Sequence, residues 1–225
     1  MKEWKARTGV EILDGIGSAE MFHIYISNRP GDVKLGSLGK LVPGYDAQIV
    51  DPAGRPVADG EPGRLRVRGG STALCYWADK PKSVETFQGD WCTTADIFRR
   101  DDEGYFYYEG RADDLIKVSG IWTSPLEIEN TLLAHDCVQE VCVIGHEDDD
   151  ELVKPLAFVV LAPGHAGCAE LAGELKTWIK EHLAPHKYPR WFEWREALPK
   201  NDRGKVARKD LRADLEAKGL RGDRA

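Results

Sequence analysis

The sequence predicts an α+β protein made of two units, and three observations support this prediction. The 225 residues are 42% hydrophobic and 31% charged, which is typical of a soluble, folded chain. Short strand patterns separated by turn residues fill the part before Gly110. Helix patterns alternate with apolar strand patterns after it, so we expect the two units to meet at Gly110–Asp114.

In the first unit the strand patterns are short. Asp46–Val50 roughly alternates, and the turn residues 52–55 precede Pro56 and Val57, which predicts a β-hairpin. Arg64–Arg68 alternates apolar and basic residues, which predicts a strand with one apolar face. A short helix and a further strand are predicted over 81–87 and 105–109.

In the second unit the helix signals are stronger. Ser124 is a capping residue, Pro125 occupies the first helical position and Glu127 lies three residues after the cap. Apolar residues at helical spacing predict an amphipathic helix over 171–183 that packs on neighbouring strands. The other predicted elements are strands over 138–145 and 153–161 and a last helix over 208–218 that ends at Gly219, followed by a frayed tail, 221–225.

Charge and composition exclude several kinds of partner. The net charge of −7 argues against binding to nucleic acid or to an anionic membrane. The N-terminus lacks a signal-peptide core and no apolar run is long enough to span a bilayer, so we expect a cytoplasmic protein. The five cysteines lack metal-ligand spacing and are expected to be reduced.

Common nucleotide and hydrolase motifs do not fit. The pair Gly15 and Gly17 invites a dinucleotide-loop interpretation, but Glu20 stands in place of the third glycine. The chain also lacks G-x-x-x-x-G-K-[ST] and G-x-S-x-G. Walker-type NTPases and α/β-hydrolases are therefore excluded.

Four separated segments carry a different signature. They are 15–20, 91–96, 110–127 and 198–205, and the third, Gly-Arg-x-Asp-Asp-Leu-Ile-Lys-x-x-Gly followed by Pro-x-Glu-Ile-Glu, is the most specific. In this order they resemble the adenylate-forming (AMP-binding) superfamily of acyl-CoA synthetases, especially its benzoate-CoA ligase branch. The resemblance implies that 1–110 is the strand-rich end of a large domain and 111–225 a small, mobile α+β C-terminal domain.

Relatives in this superfamily activate a carboxylate with ATP as an acyl-AMP and pass the acyl group to a thiol. The first step brings two anions together, so positive charge is needed at their meeting point. The resemblance assigns that charge to Lys205, which would bridge the substrate carboxylate and the α-phosphate as the catalytic residue. The alternative for Lys205 is a solvated lysine in a basic loop.

The resemblance also implies a nucleotide site. Glu20 matches the carboxylate that helps hold Mg²⁺ against ATP, and Ser18 and Ala19 belong to the same segment. Ala19 stands where relatives usually have Thr, so one phosphate contact worth about 0.5 to 1.5 kcal/mol is lost. Asp96 matches the residue that accepts both ribose hydroxyls, with Arg111 beside it. The alternatives are a helix-start acid for Glu20, a turn-capping Asp96 and a surface ion pair for Arg111.

The remaining assignments concern movement and substrates. Asp113 matches the hinge about which the small domain swings, and Gly120 would line the channel for the pantetheine arm of CoA. Residues matching Gly17, His23 and Ile24 line a flat aryl pocket in the benzoate-CoA ligase branch. A turn glycine is the alternative for Gly120, and a hydrogen-bonded core histidine is the alternative for His23.

One expected part is missing from the sequence. The Ser/Thr/Gly-rich, Lys-containing phosphate loop of this family would precede residue 1, so we expect a C-terminal fragment that is inactive alone and leaves apolar faces uncovered. The expected partners of the parent enzyme are an aromatic carboxylate, ATP, Mg²⁺ and CoA. Open alternatives are an acyl-CoA ligase for another acid, or a non-catalytic interaction or nucleotide-binding remnant. Whether the full-length protein forms a homo-oligomer is left open.

Overall fold

The computed structural model describes residues 1–218 and confirms the α+β class, with helices and mixed sheets. The chain divides into two compact units between Asp113 and Asp114. The assignment of these units, with a boundary at residue 110, to parts of a large and a small domain remains a prediction. Among the described residues, no helix combines the length and apolarity needed to cross a membrane.

Unit 1 is built from short antiparallel strands around one apolar core. Strands β1–β3 form one sheet, and a second sheet has the order β4-β5-β7-β6, with β8 added to β7. Its elements are α1 (Lys2–Thr8), β1 (Gly15–Gly17), β2 (Ile24–Ser27), β3 (Lys40–Leu41), β4 (Tyr45–Val50), β5 (Gly63–Gly69), α2 (Lys80–Thr86), β6 (Phe87–Gln88), β7 (Trp91–Arg100) and β8 (Phe106–Arg111). The core includes Tyr25, Leu65, Val67, Phe98 and Phe106.

Several predicted elements of unit 1 need correction. The apolar face of β5 is confirmed, since Leu65 and Val67 are fully buried. The hairpin predicted over 46–57 is only partly correct, because Val50 and Pro56 form a single bridge while β4 pairs along its length with β5. Pro56 has no N–H with which to extend a ladder. The helix predicted over 81–87 ends at Thr86, and the strand predicted over 105–109 runs from Phe106 to Arg111.

Unit 2 packs helices against a three-stranded sheet of order β11-β12-β13 and adds a small β9–β10 hairpin. Its elements are β9 (Ile116–Val118), β10 (Ile121–Thr123), α3 (Pro125–Leu133), β11 (Val138–Glu147), β12 (Val153–Leu161), α4 (Ala169–His182), β13 (Trp191–Arg195) and α5 (Arg208–Lys218). The sheet is mixed, because β11 and β12 are antiparallel whereas β12 and β13 are parallel.

The helix signals of unit 2 are confirmed. The Ser124 side chain accepts a hydrogen bond from the Glu127 N–H, as a capping residue does, and Pro125 opens α3. On α4, Leu175 and Ile179 are fully buried and pack on the sheet. The last helix spans Arg208–Lys218; the predicted stop at Gly219 and the tail 221–225 lie outside the described residues.

Candidate functional site

The first motif forms a tight crossing in unit 1. Gly17 of β1 pairs with Ile24 of β2, and a Cβ on Gly17 would lie 2.5 Å from the carbonyl oxygen of His23. Only glycine allows the two backbones to approach this closely. The crossing therefore gives a structural reason for Gly17 that is separate from its assignment to the aryl pocket. A single 3₁₀ turn, Ala19–Met21, follows and turns the Glu20 side chain toward Tyr76.

Glu20 is a half-buried carboxylate with a defined partner. The Tyr76 hydroxyl donates a 2.6 Å hydrogen bond to its Oε1. Although partial burial opposes ionisation, this bond and the nearby Ser18 and Lys82 hold the pKa of Glu20 below its usual value. Burial and the hydrogen bond to Glu20 raise the pKa of Tyr76 to about 12. Glu20 is therefore an anion, and Tyr76 a neutral donor, at neutral pH.

The second motif lies in strand β7, not in a turn. Three residues of β7, Thr94–Asp96, lie opposite the single residue Leu65 of β5, which makes a bulge. The Thr94 hydroxyl donates to the Leu65 carbonyl at 2.9 Å and accepts from the Asp96 N–H at 3.1 Å. The bulge redirects the backbone at Asp96, and a turn-capping role for this residue is excluded by its place in the strand.

The third motif begins opposite the second. Asp96 pairs in register with Arg111 across the antiparallel strands β7 and β8. Arg111 is exposed and makes a 3.3 Å ion pair with Asp113. This agrees with the alternative in which Arg111 forms a surface ion pair. Although partial burial opposes it, the hydrogen bond with Asp113 and the charge of Asp96 raise the pKa of Arg111.

Two buried hydroxyls complete this cluster. The Tyr25 hydroxyl and the Ser18 hydroxyl are buried without a well-formed hydrogen bond to the described residues. Burial, and then the charge of Asp96, raise the pKa of Tyr25, so these groups lie within electrostatic reach of each other. Buried polar atoms are usually hydrogen-bonded, so a hydroxyl without a protein partner is expected to form a hydrogen bond with water or with a ligand.

The residues assigned to the aryl pocket are at the surface of unit 1. His23 and Ile24 are both exposed, and the His23 Nδ1 lies 3.0 Å from the Ile24 carbonyl oxygen. The alternative of a core histidine is therefore wrong. The assignment of Gly17, His23 and Ile24 to substrate remains a prediction.

The fourth motif belongs to unit 2. Lys205 is exposed in a tight loop closed by the Lys200–Val206 bridge. Asn201 organises this loop, because its Oδ1 accepts from the N–H groups of Arg203 and Lys205, each at 3.0 Å. Gly204 has φ +74°, which the loop requires. Within residues 1–218 the Lys205 ammonium makes no ion pair, and its catalytic role remains a prediction.

Two further assigned residues lie near the boundary between the units. Asp113 is in a 3₁₀ turn, Ala112–Asp114, and is exposed. Gly120 and Ser119 form the two-residue loop of the β9–β10 hairpin, and both have positive φ, as a type I′ turn requires. This turn alone explains a glycine at position 120, so its place beside CoA remains a prediction.

Comparisons with known proteins agree with this arrangement. The model of the AMP-binding enzyme family matches residues 1–77, and that of the AMP-binding enzyme C-terminal domain matches 127–205. The chain is 48% identical over 213 residues to a benzoate–CoA ligase of Thauera aromatica, covering 94% of this chain and 40% of the relative. The chain belongs to the AMP-binding enzyme family.

Other relatives of this AMP-binding chain act on substituted benzoates. A 4-hydroxybenzoate–CoA/benzoate–CoA ligase of Rhodopseudomonas palustris is 45% identical over 210 residues, covering 93% of this chain and 39% of the relative. The crystal structure of an anthranilate CoA ligase in complex with anthranoyl-AMP superposes with a TM-score of 0.90 and 45% identity, covering 97% of this chain and 43% of that one. The chain thus spans about two fifths of the length of these relatives.

One carboxylate of the AMP-binding chain has the chemistry of a magnesium ligand. Among residues 1–218 no group of three His, Cys, Asp or Glu side chains could hold a metal ion. Mg²⁺ needs less than that, since it is usually held by one or two carboxylates together with substrate phosphates and water. The anionic Glu20 fits this requirement as a single carboxylate ligand.

Sequence reasoning missed two residues of the cluster. Tyr76 is 56 positions from its partner Glu20, and Tyr25 lies outside the four motif segments. Neither position carries a spacing signal that links it to the motifs. Tyr25 and its neighbour Ile26 in β2 are both fully buried, so no alternation of exposed and buried residues marks this tyrosine.

Proposed function

We propose that this chain forms part of an aryl-CoA ligase that activates an aromatic carboxylate with ATP and transfers the acyl group to CoA. One observation supports this best. Three segments far apart in sequence meet in unit 1: the charges of Glu20 and Asp96 act on the buried Tyr25 hydroxyl, and Arg111 lies in register with Asp96 across β7 and β8. The cluster contains two carboxylates and one guanidinium, which are groups that can hold a ribose and a metal-bound phosphate.

The first half-reaction joins two anions. A carboxylate oxygen attacks the α-phosphorus of ATP, the bond to pyrophosphate breaks, and an acyl-adenylate forms. Asp96 has two acceptor oxygens for the two ribose hydroxyls, with Arg111 beside it, and Glu20 would hold Mg²⁺. Lys205 would lower the repulsion between the carboxylate and the α-phosphate, because its ammonium can lie between them.

The second half-reaction needs a different arrangement. The CoA thiol attacks the acyl carbonyl carbon, the bond to AMP breaks, and the thioester forms. We propose that unit 2 turns at Asp113 between the two half-reactions, so that the loop with Lys205 is exchanged for the hairpin with Gly120. The exposed position of Asp113 at the division between the units supports this proposal.

We propose that the acid is benzoate or a close relative. Relatives that are 45% to 48% identical to this chain are named as ligases of benzoate, 4-hydroxybenzoate and anthranilate. Gly17, His23 and Ile24 would contact the ring, since Gly17 has no side chain and Ile24 exposes apolar surface. The alternative is another carboxylic acid. A chimera in which these 225 residues replace the matching segment of the Thauera ligase, assayed with aryl and fatty acids, decides between them.

The 225 residues alone are proposed to bind nucleotide without turnover, because they contain no Ser/Thr/Gly-rich, Lys-containing phosphate loop. The isolated chain is expected to release no pyrophosphate from ATP with benzoate and Mg²⁺, whereas the chimera is expected to do so. Robust turnover by the isolated chain would disprove its inactivity. A chimera that binds AMP but never turns over would favour the non-catalytic alternative. The five unpaired cysteines fit the proposed cytoplasmic location.

AMP binding tests the cluster directly. Asp96→Asn removes the charged acceptor of the ribose hydroxyls, and hydrogen bonds to a charged group contribute about 1.5 to 3 kcal/mol. The Kd for AMP, measured by calorimetry on the isolated chain, is therefore expected to rise roughly tenfold to a hundredfold. The exposed Asp102→Asn is the matched control and should leave the Kd unchanged. An unchanged Kd in Asp96→Asn would refute the assigned ribose contact.

A further inference from the structure

Two neighbouring aspartates at the division between the units have partners on opposite sides of it. The Asp113 carboxylate pairs with Arg111 at 3.3 Å, and both residues belong to unit 1. The Asp114 carboxylate lies 3.4 Å from Arg208 Nε and 3.7 Å from an Arg212 Nη, and these residues belong to unit 2. The side chain of Asp113 is 75% exposed, whereas that of Asp114 is 23% exposed.

Arg208 is itself held firmly inside unit 2. Its guanidinium donates to both oxygens of the buried Glu129, at 2.7 and 3.0 Å, and to the Val143 carbonyl at 3.1 Å. Glu129 also accepts from the Val143 N–H at 2.7 Å. This network joins α5, α3 and β11, and its donors and acceptors are paired in fixed geometry. Asp114 is thus attached to an anchor that cannot move apart from the rest of unit 2.

The residues after Asp114 are fixed as well. Ile116 and Val118 of β9 are buried in the core of unit 2, two and four positions beyond Asp114. On the other side of Asp114, strand β8 ends at Arg111, which is in register with Asp96 of β7. Ala112 and Asp113 are the residues between this strand and Asp114, so freedom of backbone rotation is concentrated there.

We propose that Arg208 and Arg212 are positioning residues that make Asp114 the first rigid residue of unit 2, so that rotation between the units is confined to Ala112 and Asp113. This inference rests on the proposed function, because that function gives the rotation its purpose. The positions of the rigid and rotating residues can be tested without turnover. The two adjacent carboxylates therefore have different roles. Asp113 belongs to the segment that rotates, and Asp114 belongs to the rigid unit 2.

Hydrogen–deuterium exchange on the 225-residue chain tests this division. In the unmodified chain, the amides of residues 112 and 113 should exchange fast and those of β9 slowly. Asp114→Asn keeps the shape of the side chain and leaves the Arg208–Glu129 pair intact, so exchange in β9 should rise severalfold while exchange in α4 stays unchanged. Asp114→Glu, which keeps the charge, should restore part of the protection.

The matched control is Asp113→Asn, whose partner lies in unit 1, and it should leave β9 protected. Arg212→Gln removes the more exposed partner and should give the same local effect at smaller amplitude, which keeps the test available if Asp114→Asn does not fold. Unchanged exchange in β9, or a uniform rise through unit 2, would overturn the proposal. None of these measurements needs ATP or an acid, so a failure of the proposed ligase activity would be seen separately.

Discussion

Lys205 is presented at the tip of a short loop whose backbone is closed by Asn201. A charge in this setting can be removed without disturbing a core, because the side chain is exposed. Lys205 differs from Lys200 at the base of the same loop, whose ammonium pairs with Glu140 at 2.9 Å. Lys200 is therefore a suitable control for Lys205, because its charge is already paired within unit 2.

Lys205→Ala in the Thauera chimera is expected to suppress adenylation by roughly a hundredfold to a thousandfold, as loss of one preorganised cationic or hydrogen-bonding group does. Thioester formation from supplied acyl-adenylate should change little, because its acyl donor is already activated. Pyrophosphate release and acyl-CoA formation measure the two steps separately. Lys200→Ala is the control and should leave their ratio unaltered, and equal losses in both steps for Lys205→Ala would count against its role.

At the residue scale, the candidate residues that could be named from the sequence belong to contiguous motifs, and the residues that folding brings beside them were missed. Asp96 and Arg111 could be named because each lies in a recognisable segment, and their register across β7 and β8 then places them together. Tyr76 donates to Glu20 only because the loop after β5 returns to the first motif, where the Ala73 N–H bonds the Glu20 carbonyl at 2.8 Å. No local pattern encodes such a long-range contact.

At the scale of elements, the hairpin of β7 and β8 carries Asp96 and Arg111, the two candidates for contact with the ribose, and Asp101 closes it. Its carboxylate accepts from Lys34 Nζ at 2.7 Å, from the Tyr105 N–H at 2.8 Å and from the Tyr107 hydroxyl at 3.0 Å. Burial works against ionisation, but these partners hold the pKa of Asp101 at about 2. The turn therefore depends on a carboxylate that stays charged in the folded state.

Asp101→Asn is expected to destabilise the chain at neutral pH, and the size of the loss should depend on pH. The folded-state pKa lies below the unfolded value of about 3.9, so the contribution of Asp101 is fully present above about pH 4 and is lost as the pH falls toward about 2. Urea unfolding of both proteins across this range measures the difference, which should be constant at higher pH and shrink in acid. The exposed Asp102→Asn is the neighbouring control. A difference that grows in acid would contradict this account.

The elements themselves were predictable to different degrees for a physical reason. Helix α3 was predicted correctly because its cap, its first-position proline and its apolar spacing are all local. Strand β7 was not predicted, because the bulge at Thr94–Asp96 breaks the alternation that identifies a strand. The same bulge that obscures the strand pattern in the sequence also redirects the backbone at Asp96.

At the scale of the whole molecule, the two units have separate apolar cores, but unit 1 also exposes large apolar side chains. Leu74 and Trp77 are 94% and 97% exposed, and Phe22, two positions after Glu20, is also exposed. The backbone hydrogen bond between Ala73 and Glu20 holds this loop beside the first motif. The expectation that the chain leaves apolar surface uncovered is consistent with these side chains, since such patches favour association.

We expect the isolated chain to self-associate through this surface, and Leu74→Lys with Trp77→Lys to reduce that association by more than tenfold. Covering one large apolar side chain contributes about 1.5 to 3 kcal/mol, and like charges on two copies repel. Light scattering after size-exclusion chromatography, over a range of protein concentrations, measures the change in mass. Leu152→Lys, at a half-exposed leucine of unit 2, is the matched control and should leave the mass unchanged. Because neither Leu74 nor Trp77 belongs to the buried core of unit 1, its thermal unfolding should be unaffected. If the double variant associates as strongly as the original chain, contact between copies occurs elsewhere, and the exposed side chains near Glu20 do not drive it.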